Sequence, residues 1–152
     1  MSSIRCEIVT QERVVYDQMV DVVIAPGSEG ELGILPCHVP LLTALSPGEL
    51  RVKIGNEEEA FAISGGFMEV QPDHVSVLAR TAECADEIDV ARADAARTRA
   101  EQLLEQGAPP DLDRFRGIEA ALRRSRVRLK VARKRKYRPE PGSMMSMRED
   151  KD

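Results

Sequence analysis

Hydrophobic and polar positions along the chain follow two different spacings, and the change falls near residue 85. In the first part, β-branched and other apolar residues form short runs that are separated by turn formers such as Pro26-Gly27 and Gly55-Asn56. The segment from Leu50 to Ile54 alternates apolar and charged residues, which is the period of a strand with one buried face. Short runs at intervals of about ten residues predict an amino-terminal β-sandwich of about ten short strands.

The second part has helical spacing. Residues 86–106 contain no proline or glycine, and their apolar positions form a narrow stripe made mostly of alanine: Val90, Ala93, Ala96, Ala100, Leu103 and Leu104. The segment Gly107 to Pro110 ends this helix, and Asp111 or Asp113 can cap the next one. Apolar or small residues of the second helix are spaced alternately by three and four positions: Phe115, Ile118, Leu122, Ser125, Leu129 and Ala132. These patterns predict an antiparallel two-helix hairpin.

The predicted class is therefore β plus α, in three segments. Residues 1–85 form the sandwich, residues 86–138 form the hairpin, and residues 139–152 form a disordered tail, because they combine proline, glycine, serine and mixed charge. An alanine stripe buries little apolar area, and burial contributes only about 25 cal/mol per Å². We therefore expect the hairpin to be held loosely enough to move.

Two local features of the sandwich segment carry further predictions. The stretch from Gly30 to Gly48 contains Pro36, Pro40 and Pro47, which favour a shaped corner and argue against a central strand through it. Its many apolar side chains predict that this corner packs on a neighbour. Gly65-Gly66 lies between two apolar runs and predicts a tight turn with positive φ.

Charge is distributed unevenly between the two parts of the chain. Residues 1–85 carry 13 acidic and 5 basic side chains, whereas residues 86–152 carry 13 acidic and 17 basic ones, which indicates different partners for the two parts. Between Arg123 and Arg138, ten of sixteen positions are Lys or Arg. Such a stretch favours an acidic protein surface or phosphate, and a basic-helix adaptor that binds nucleic acid is the alternative. The five aromatic residues of the chain offer little for base stacking.

The sequence offers little chemistry for catalysis. Its two histidines, His38 and His74, have no partner at recognisable spacing, and no glycine-rich phosphate loop is present. The three cysteines are far apart and predict reduced thiols and no zinc site. No apolar run approaches the roughly 20 residues that span a bilayer. We therefore expect a protein of the cytoplasmic side without a processed leader, without a metal site and without enzymatic activity.

Charged pairs on the two helices suggest a binding site. Arg124 and Arg128 lie one turn apart, and Asp89 and Arg92 flank the alanine stripe. If the hairpin closes, both pairs can face one cleft, where guanidinium groups bind phosphate and a carboxylate binds ribose or base. A solvated charged helix surface is the simpler interpretation of the same spacing.

Three motifs, in this order, resemble a known family. They are Gly30-Glu31-Leu32-Gly33-Ile34-Leu35-Pro36 with His38, Pro40-Leu41-Leu42-Thr43 and Pro47-Gly48; then Ser64-Gly65-Gly66-Phe67 with Glu69-Val70; then Ile88-Asp89-Val90-Ala91-Arg92-Ala93. With them, residues 3–133 closely resemble the epsilon subunit of the bacterial F-type ATP synthases.

The resemblance implies a non-catalytic subunit of the central rotor stalk, on the cytoplasmic face of the bacterial inner membrane. Such a subunit binds the gamma subunit and the c-ring and helps to couple proton flow to ATP synthesis, and its membrane association comes only through the complex. The hairpin is implied to be a regulatory element that either folds onto the sandwich or extends into the catalytic head to hinder ATP hydrolysis. No cofactor is required, although regulatory ATP binds some members.

The resemblance also implies site residues. The ATP-binding motif of those members matches Ile88, Asp89 and Arg92, with Glu83, Arg124 and Arg128 at its remaining positions. Glu31 falls at the contact with the c-ring and His38 near the contact with gamma, while Arg123 and Arg126 belong to the basic face that would meet the catalytic beta subunit. The Pro-rich hairpin turn and residues 134–152 depart from the family pattern.

Overall fold

The computed structural model describes residues 2–107 and 109–134, and they form a β-sandwich followed by a helical hairpin. The strands are β1 (Ile4–Val9), β2 (Val14–Val20), β3 (Val22–Gly27), β4 (Gly30–Ile34), β5 (Leu41–Ile54), β6 (Glu57–Gln71), β7 (His74–Ala79) and β8 (Ala82–Cys84). A 3-10 turn, Ala85–Glu87, leads to α1 (Val90–Glu105) and α2 (Leu112–Ala132). The predicted class is confirmed, and the tail predicted at 139–152 lies outside the described residues.

The strands pair in the order β2-β1-β7-β6-β5-β3-β4, with β8 on β6. Strands β5 and β6 form a long antiparallel hairpin that pairs from Leu41 with Val70 to Ile54 with Glu57. Along β6 the second partner changes, since Ile63 pairs with Ala82 of β8 whereas Gly66 pairs with Ala79 of β7. The described part of the chain has eight strands where the sequence predicted about ten short ones, because β5 and β6 continue through the expected breaks.

The interruptions predicted at Pro47 and at Gly65-Gly66 are therefore wrong, because β5 and β6 continue through these positions. Pro47 lies inside β5, within the stretch where the pairing of β3 with β5 is irregular, and such irregularities are positions where a strand tolerates proline. Gly66 lies inside β6 and not in a turn, but its φ of 145° is positive, as predicted. A Cβ at Gly66 would lie 2.0 Å from the carbonyl oxygen of Leu78, so glycine permits the close approach of β7.

The core of the sandwich follows the predicted period of two. In β1, Ile4, Cys6 and Ile8 are fully buried while Arg5 is exposed. Tyr16 and Phe61 meet edge to face with their ring centroids 5.2 Å apart. Burial raises the pKa of the Cys6 thiol and that of Tyr16 to about 12 in each case.

The first helix begins at Val90, four residues later than the predicted start at 86, and the predicted end of the hairpin at 138 lies outside the described residues. Asp89 caps α1 by accepting a hydrogen bond from the backbone N–H of Arg92 at 3.0 Å. Asp111 caps α2 by accepting a hydrogen bond from the backbone N–H of Asp113 at 3.0 Å. The predicted stripe and the seam of α2 bury their central residues, Ala93, Ala100, Leu122 and Ser125.

The carboxyl end of α2 packs on the sandwich. A small apolar cluster joins the two parts: Ala60, Ala62, Ala85, Ile88, Val131 and Ala132, with Val127 at its margin. Four of the six clustered side chains are alanines, and small side chains bury little apolar area each. In this structure the hairpin is folded onto the sandwich.

Candidate functional site

A cleft of about 330 Å³ lies between the sandwich and the hairpin. The volume falls within the range of about 300 to 1,000 Å³ that is usual for small-molecule sites. Four of the six residues predicted to bind nucleotide line it: Glu83, Arg92, Arg124 and Arg128. The cleft brings them together from β8, α1 and α2, which are distant along the sequence.

Glu83 and Arg128 form an ion pair across the boundary between sandwich and hairpin. Nη2 of Arg128 donates a hydrogen bond to Oε2 of Glu83 at 3.0 Å, and Nε lies 3.0 Å from Oε1. The two side chains are 24% and 30% exposed, so solvent screens this pair less than a surface pair. The pair therefore helps to hold α2 on the sandwich.

Arg92 and Arg124 have no such partner. Within the described ranges, no carboxylate lies within 4.0 Å of either guanidinium group. Two unpaired guanidinium groups in one concave site can bind an anion, and their planar donors match the geometry of phosphate.

Ile88 and Asp89 occupy different positions from the other four predicted residues. The Ile88 side chain is 1% exposed and belongs to the apolar cluster under α2, while the Asp89 carboxylate caps α1. Neither lines the cleft. Both residues set the start of α1, which places Arg92 one turn later at the cleft.

Three hydroxyl groups at the cleft were not predicted. Ser64, Thr81 and Ser125 line it, and the Ser64 hydroxyl accepts a hydrogen bond from the backbone N–H of Thr81 at 3.0 Å. Ser125 donates to the carbonyl oxygen of Ala121 at 2.8 Å. The only sequence signal was the position of Ser64 directly before the glycine pair, since isolated serines and threonines are otherwise common on surfaces.

The segment that joins the sandwich to α1 is tied to the first hairpin of the sandwich. Arg13 donates to both oxygens of Glu87, at 3.3 and 2.8 Å. These hydrogen bonds lower the pKa of the Glu87 carboxyl. Burial, in contrast, raises the pKa of the neighbouring Cys84 thiol.

The predicted partner residues of the sandwich lie at the corner and at the edge strand. Glu31 of β4 is 63% exposed and lies 3.1 Å from Arg51. His38 is partly buried, and its Nδ1 lies 2.7 Å from the carbonyl oxygen of Val39. The corner before β5 is held by a bond from the Cys37 N–H to the carbonyl oxygen of Pro72 at 2.8 Å.

An exposed apolar patch begins where this corner ends. Phe67 pairs with Ala44 on one side and Leu78 on the other, so three side chains of adjacent strands share one outer face, with Leu42 two residues from Ala44. Leu42, Phe67 and Leu78 are 72%, 58% and 59% exposed. Contiguous apolar side chains on an outer face mark a contact surface for a partner. The corner thus packs only in part, and its remaining apolar residues face outward.

Arg123 and Arg126 lie at a separate groove between the two helices, together with Leu104 and Leu122. Three of the seven described basic residues on the predicted basic face pair with carboxylates of the same chain. Arg126 lies 3.8 Å from Glu101, Arg128 pairs with Glu83, and Lys134 pairs with Glu49. This compensation weakens the case for a nucleic-acid adaptor.

No helix within residues 2–107 and 109–134 is long and apolar enough to cross a membrane. No three His, Cys, Asp or Glu side chains there are placed to hold a metal ion.

These features define a class of small two-part proteins in which a helical hairpin folds onto a β-sandwich and a charged cleft lies between them. The sequence matches two family profiles. Residues 3–85 match the ATP synthase, Delta/Epsilon chain, beta-sandwich domain, and residues 86–133 match the ATP synthase, Delta/Epsilon chain, long alpha-helix domain. The chain belongs to the ATP synthase delta/epsilon family.

Relatives and solved structures agree with this assignment. The ATP synthase epsilon chain of Dehalococcoides mccartyi is 53% identical over 140 residues, which cover 92% of this chain and 99% of that protein. The ATP synthase epsilon chain of Herpetosiphon aurantiacus is 54% identical over 136 residues, or 89% and 98% of the two chains. A chain in the OSCP/F1/c-ring structure of the Euglena gracilis mitochondrial ATP synthase superposes with a TM-score of 0.72 at 26% identity, covering 86% of this chain and 81% of that one. The resemblance seen in the sequence motifs is confirmed, and the nucleic-acid adaptor is not supported.

Proposed function

We propose that this chain is the epsilon subunit of a bacterial F-type ATP synthase, a non-catalytic part of the central stalk that helps to couple proton flow to ATP synthesis. The observation that carries the proposal is the match of both domains over almost the full length of relatives named ATP synthase epsilon chain. Its partners are the gamma subunit, the c-ring and the catalytic beta subunit. It lies on the cytoplasmic face of the inner membrane and reaches the membrane only through the complex.

The exposed patch of Leu42, Ala44, Phe67 and Leu78 is the surface that we assign to the gamma subunit. An apolar outer face beside the corner of His38 gains free energy when a partner covers it. Co-expression with the gamma subunit of the same organism tests the assignment, and a stable complex is expected on co-purification. The Phe67→Glu variant is expected to lose the complex, whereas Leu112→Glu, which changes an exposed leucine on the hairpin, is expected to keep it.

Failure of the unmodified chain to bind gamma at micromolar concentration would contradict the proposed function. Binding by Phe67→Glu as tight as by the unmodified chain would contradict only the assignment of the patch.

The hairpin is the proposed regulatory element. Its docking contact consists mostly of small side chains and the ion pairs of Arg128 and Lys134, so modest interactions elsewhere can outweigh it. In the extended state its basic residues, including Arg123 and Arg126, meet acidic groups of the beta subunit. A chain that ends at Asp86 is expected to assemble into the ATP synthase and to raise the rate of ATP hydrolysis. Normal assembly with an unchanged rate would rule out the regulatory role.

The cleft is the proposed site of regulatory ATP. Arg92 and Arg124 are free to bind phosphate, and Glu83 and the hydroxyl groups can accept or donate hydrogen bonds to ribose or base. ATP bound there would contact sandwich and hairpin at once and favour the folded state.

Calorimetry on the isolated chain tests this site. Loss of one guanidinium contact to phosphate costs about 1.5 to 3 kcal/mol, so Arg92→Ala is expected to weaken ATP binding by about tenfold or more. Arg99→Ala, which removes an exposed arginine of the same helix from outside the cleft, is the matched control. Absence of heat from both the unmodified chain and Arg92→Ala would exclude the site.

A further inference from the structure

A network of six charged side chains joins the edge of the sandwich to the end of the hairpin. Arg51 lies 3.1 Å from Glu31, 3.3 Å from Glu49 and 4.0 Å from Glu58. Lys134, directly beyond α2, lies 2.5 Å from Glu49 and 3.6 Å from Glu58. Lys53 completes the network at 3.5 Å from Glu58.

Glu49 is the most buried member of this network and contacts both Arg51 and Lys134. Its side chain is 8% exposed, and its Oε2 atom is buried without a hydrogen-bond partner among the described residues. The free energy of a buried, ionised carboxylate rises strongly when the cations close to it are removed. The contact with Lys134 is therefore of greater consequence for docking than an ordinary surface ion pair.

The charges balance only while the hairpin is folded onto the sandwich. The folded network holds three cations and three carboxylates. When α2 leaves, Lys134 leaves with it, and Arg51 and Lys53 must compensate Glu31, Glu49 and Glu58 alone. If a cationic group of a partner takes Glu31 at the exposed edge, Arg51 and Lys53 face only two carboxylates, and the sandwich is balanced without Lys134.

We propose that Arg51 couples the edge strand at Glu31 to the docking of the hairpin, so that a cationic partner group bound to Glu31 weakens the hold of Glu49 on Lys134. Two electrostatic effects act in the same direction. Loss of the Glu31 charge lowers the attraction that Lys134 experiences, and it frees Arg51 to pair more closely with Glu49. Engagement of the edge thus favours release of the hairpin.

This inference rests on the proposed movement of the hairpin, and a thiol-trapping experiment on the full chain measures that movement. Ala60 is 4% exposed and lies in the apolar cluster under α2. In a chain with Ala60→Cys, Cys37→Ser and Cys84→Ser, the remaining Cys6 is fully buried in the sandwich core. The rate at which a thiol reagent modifies position 60 then reports the fraction of open hairpin.

Lys134→Ala is expected to raise the trapping rate about tenfold, because it leaves Glu49 poorly compensated. Lys130→Ala is the matched control, since Lys130 lines one cavity together with Lys134, Glu49 and Arg51 but has no ion pair within the described residues. This control is expected to change the rate by less than about twofold, as is usual for surface substitutions.

Glu31→Gln reproduces the loss of the Glu31 charge without a partner. Glu31→Gln is expected to raise the trapping rate about threefold when Lys134 is present. In the Lys134→Ala chain it is expected to have no further effect, because the effects of two coupled residues do not add. Glu29→Gln, which removes a carboxylate from the turn just before β4 and outside the network, is expected to have no effect.

The possible failures are distinguishable. The coupling through Arg51 would be overturned, and the hairpin movement left standing, if Lys134→Ala raised the trapping rate but Glu31→Gln did not. The same conclusion would follow if Glu31→Gln raised the rate equally with Lys134 present and in the Lys134→Ala chain. If position 60 in every variant reacted no faster than Cys6, the movement of the hairpin would be contradicted, and the coupling with it.

Discussion

Arg128 of the hairpin forms an ion pair with Glu83 of the sandwich, in which two guanidinium nitrogen atoms each lie 3.0 Å from a different carboxylate oxygen. The pair lies inside the cleft, beside the unpaired Arg92 and Arg124. One ion pair therefore serves both the docking of the hairpin and the shape of the candidate ATP site.

A double-mutant cycle measures the contribution of this pair. Glu83→Gln and Arg128→Gln each remove one charge, and Glu83→Gln also keeps the volume of the side chain; the pair is less than one third exposed. We expect a coupling free energy of about 1 to 2 kcal/mol in the thermal unfolding of the hairpin, followed by helical circular dichroism. The same cycle with Glu101 and Arg126, whose atoms are 3.8 Å apart and more exposed, should give about 0.5 kcal/mol or less. Strictly additive effects for Glu83 and Arg128 would contradict their role in docking.

Asp89 provides a separate test, because its carboxylate caps α1 and lies outside the cleft. Asp89→Ala should destabilise the hairpin by about 1 kcal/mol, whereas Asp89→Asn should cost little, since asparagine caps equally well. Asp89→Asn should also keep the ATP affinity of the unmodified chain in calorimetry. If Asp89→Asn unfolded normally but lost ATP binding, the carboxylate would have a direct role in the site.

The sequence predicted the hairpin well because helical spacing records which face is buried. Leu122 and Ser125 of the predicted seam on α2 are buried, as are Ala93 and Ala100 of the stripe on α1. The second contact of α2, through Val127 and Val131, was not predicted, since these two residues lie outside the seam. Their partners in the sandwich are alanines, which give no periodic signal.

The residues of the candidate site could be predicted only in part from the sequence. Family motifs named Glu83, Arg92, Arg124 and Arg128, and all four line one cleft. The buried position of Glu49 could not have been predicted, because its burial depends on how the end of α2 crosses β5. Long-range ion pairs leave no local pattern in the sequence.

The close approach of β6 and β7 makes Gly66 irreplaceable. Gly66→Ala would place a Cβ 2.0 Å from the carbonyl oxygen of Leu78 and would force an alanine to a φ of 145°. We expect a loss of about 2 to 4 kcal/mol in the free energy of unfolding, measured by denaturant titration of the full chain. Gly33→Ala is the control, since its added Cβ would meet no atom within 4 Å. Equal stability of the two variants would show that the strands can separate at Gly66 without cost.

The ion pair of Arg13 and Glu87 should make the stability of the linker region depend on pH. Arg13 lowers the pKa of Glu87, so the native state binds this proton less readily than the unfolded chain. The stabilisation is therefore complete above the ordinary glutamate pKa of about 4.3 and is lost as the pH falls through the lowered value. The effect should be small, because both side chains are about half exposed. Glu87→Gln should lower the melting temperature at about pH 7 and not at about pH 3, whereas Glu105→Gln, outside any ion pair of the described residues, should show no such change with pH. A difference between Glu87→Gln and the unmodified chain that stayed constant over this range would show that the charge of Glu87 is not the cause.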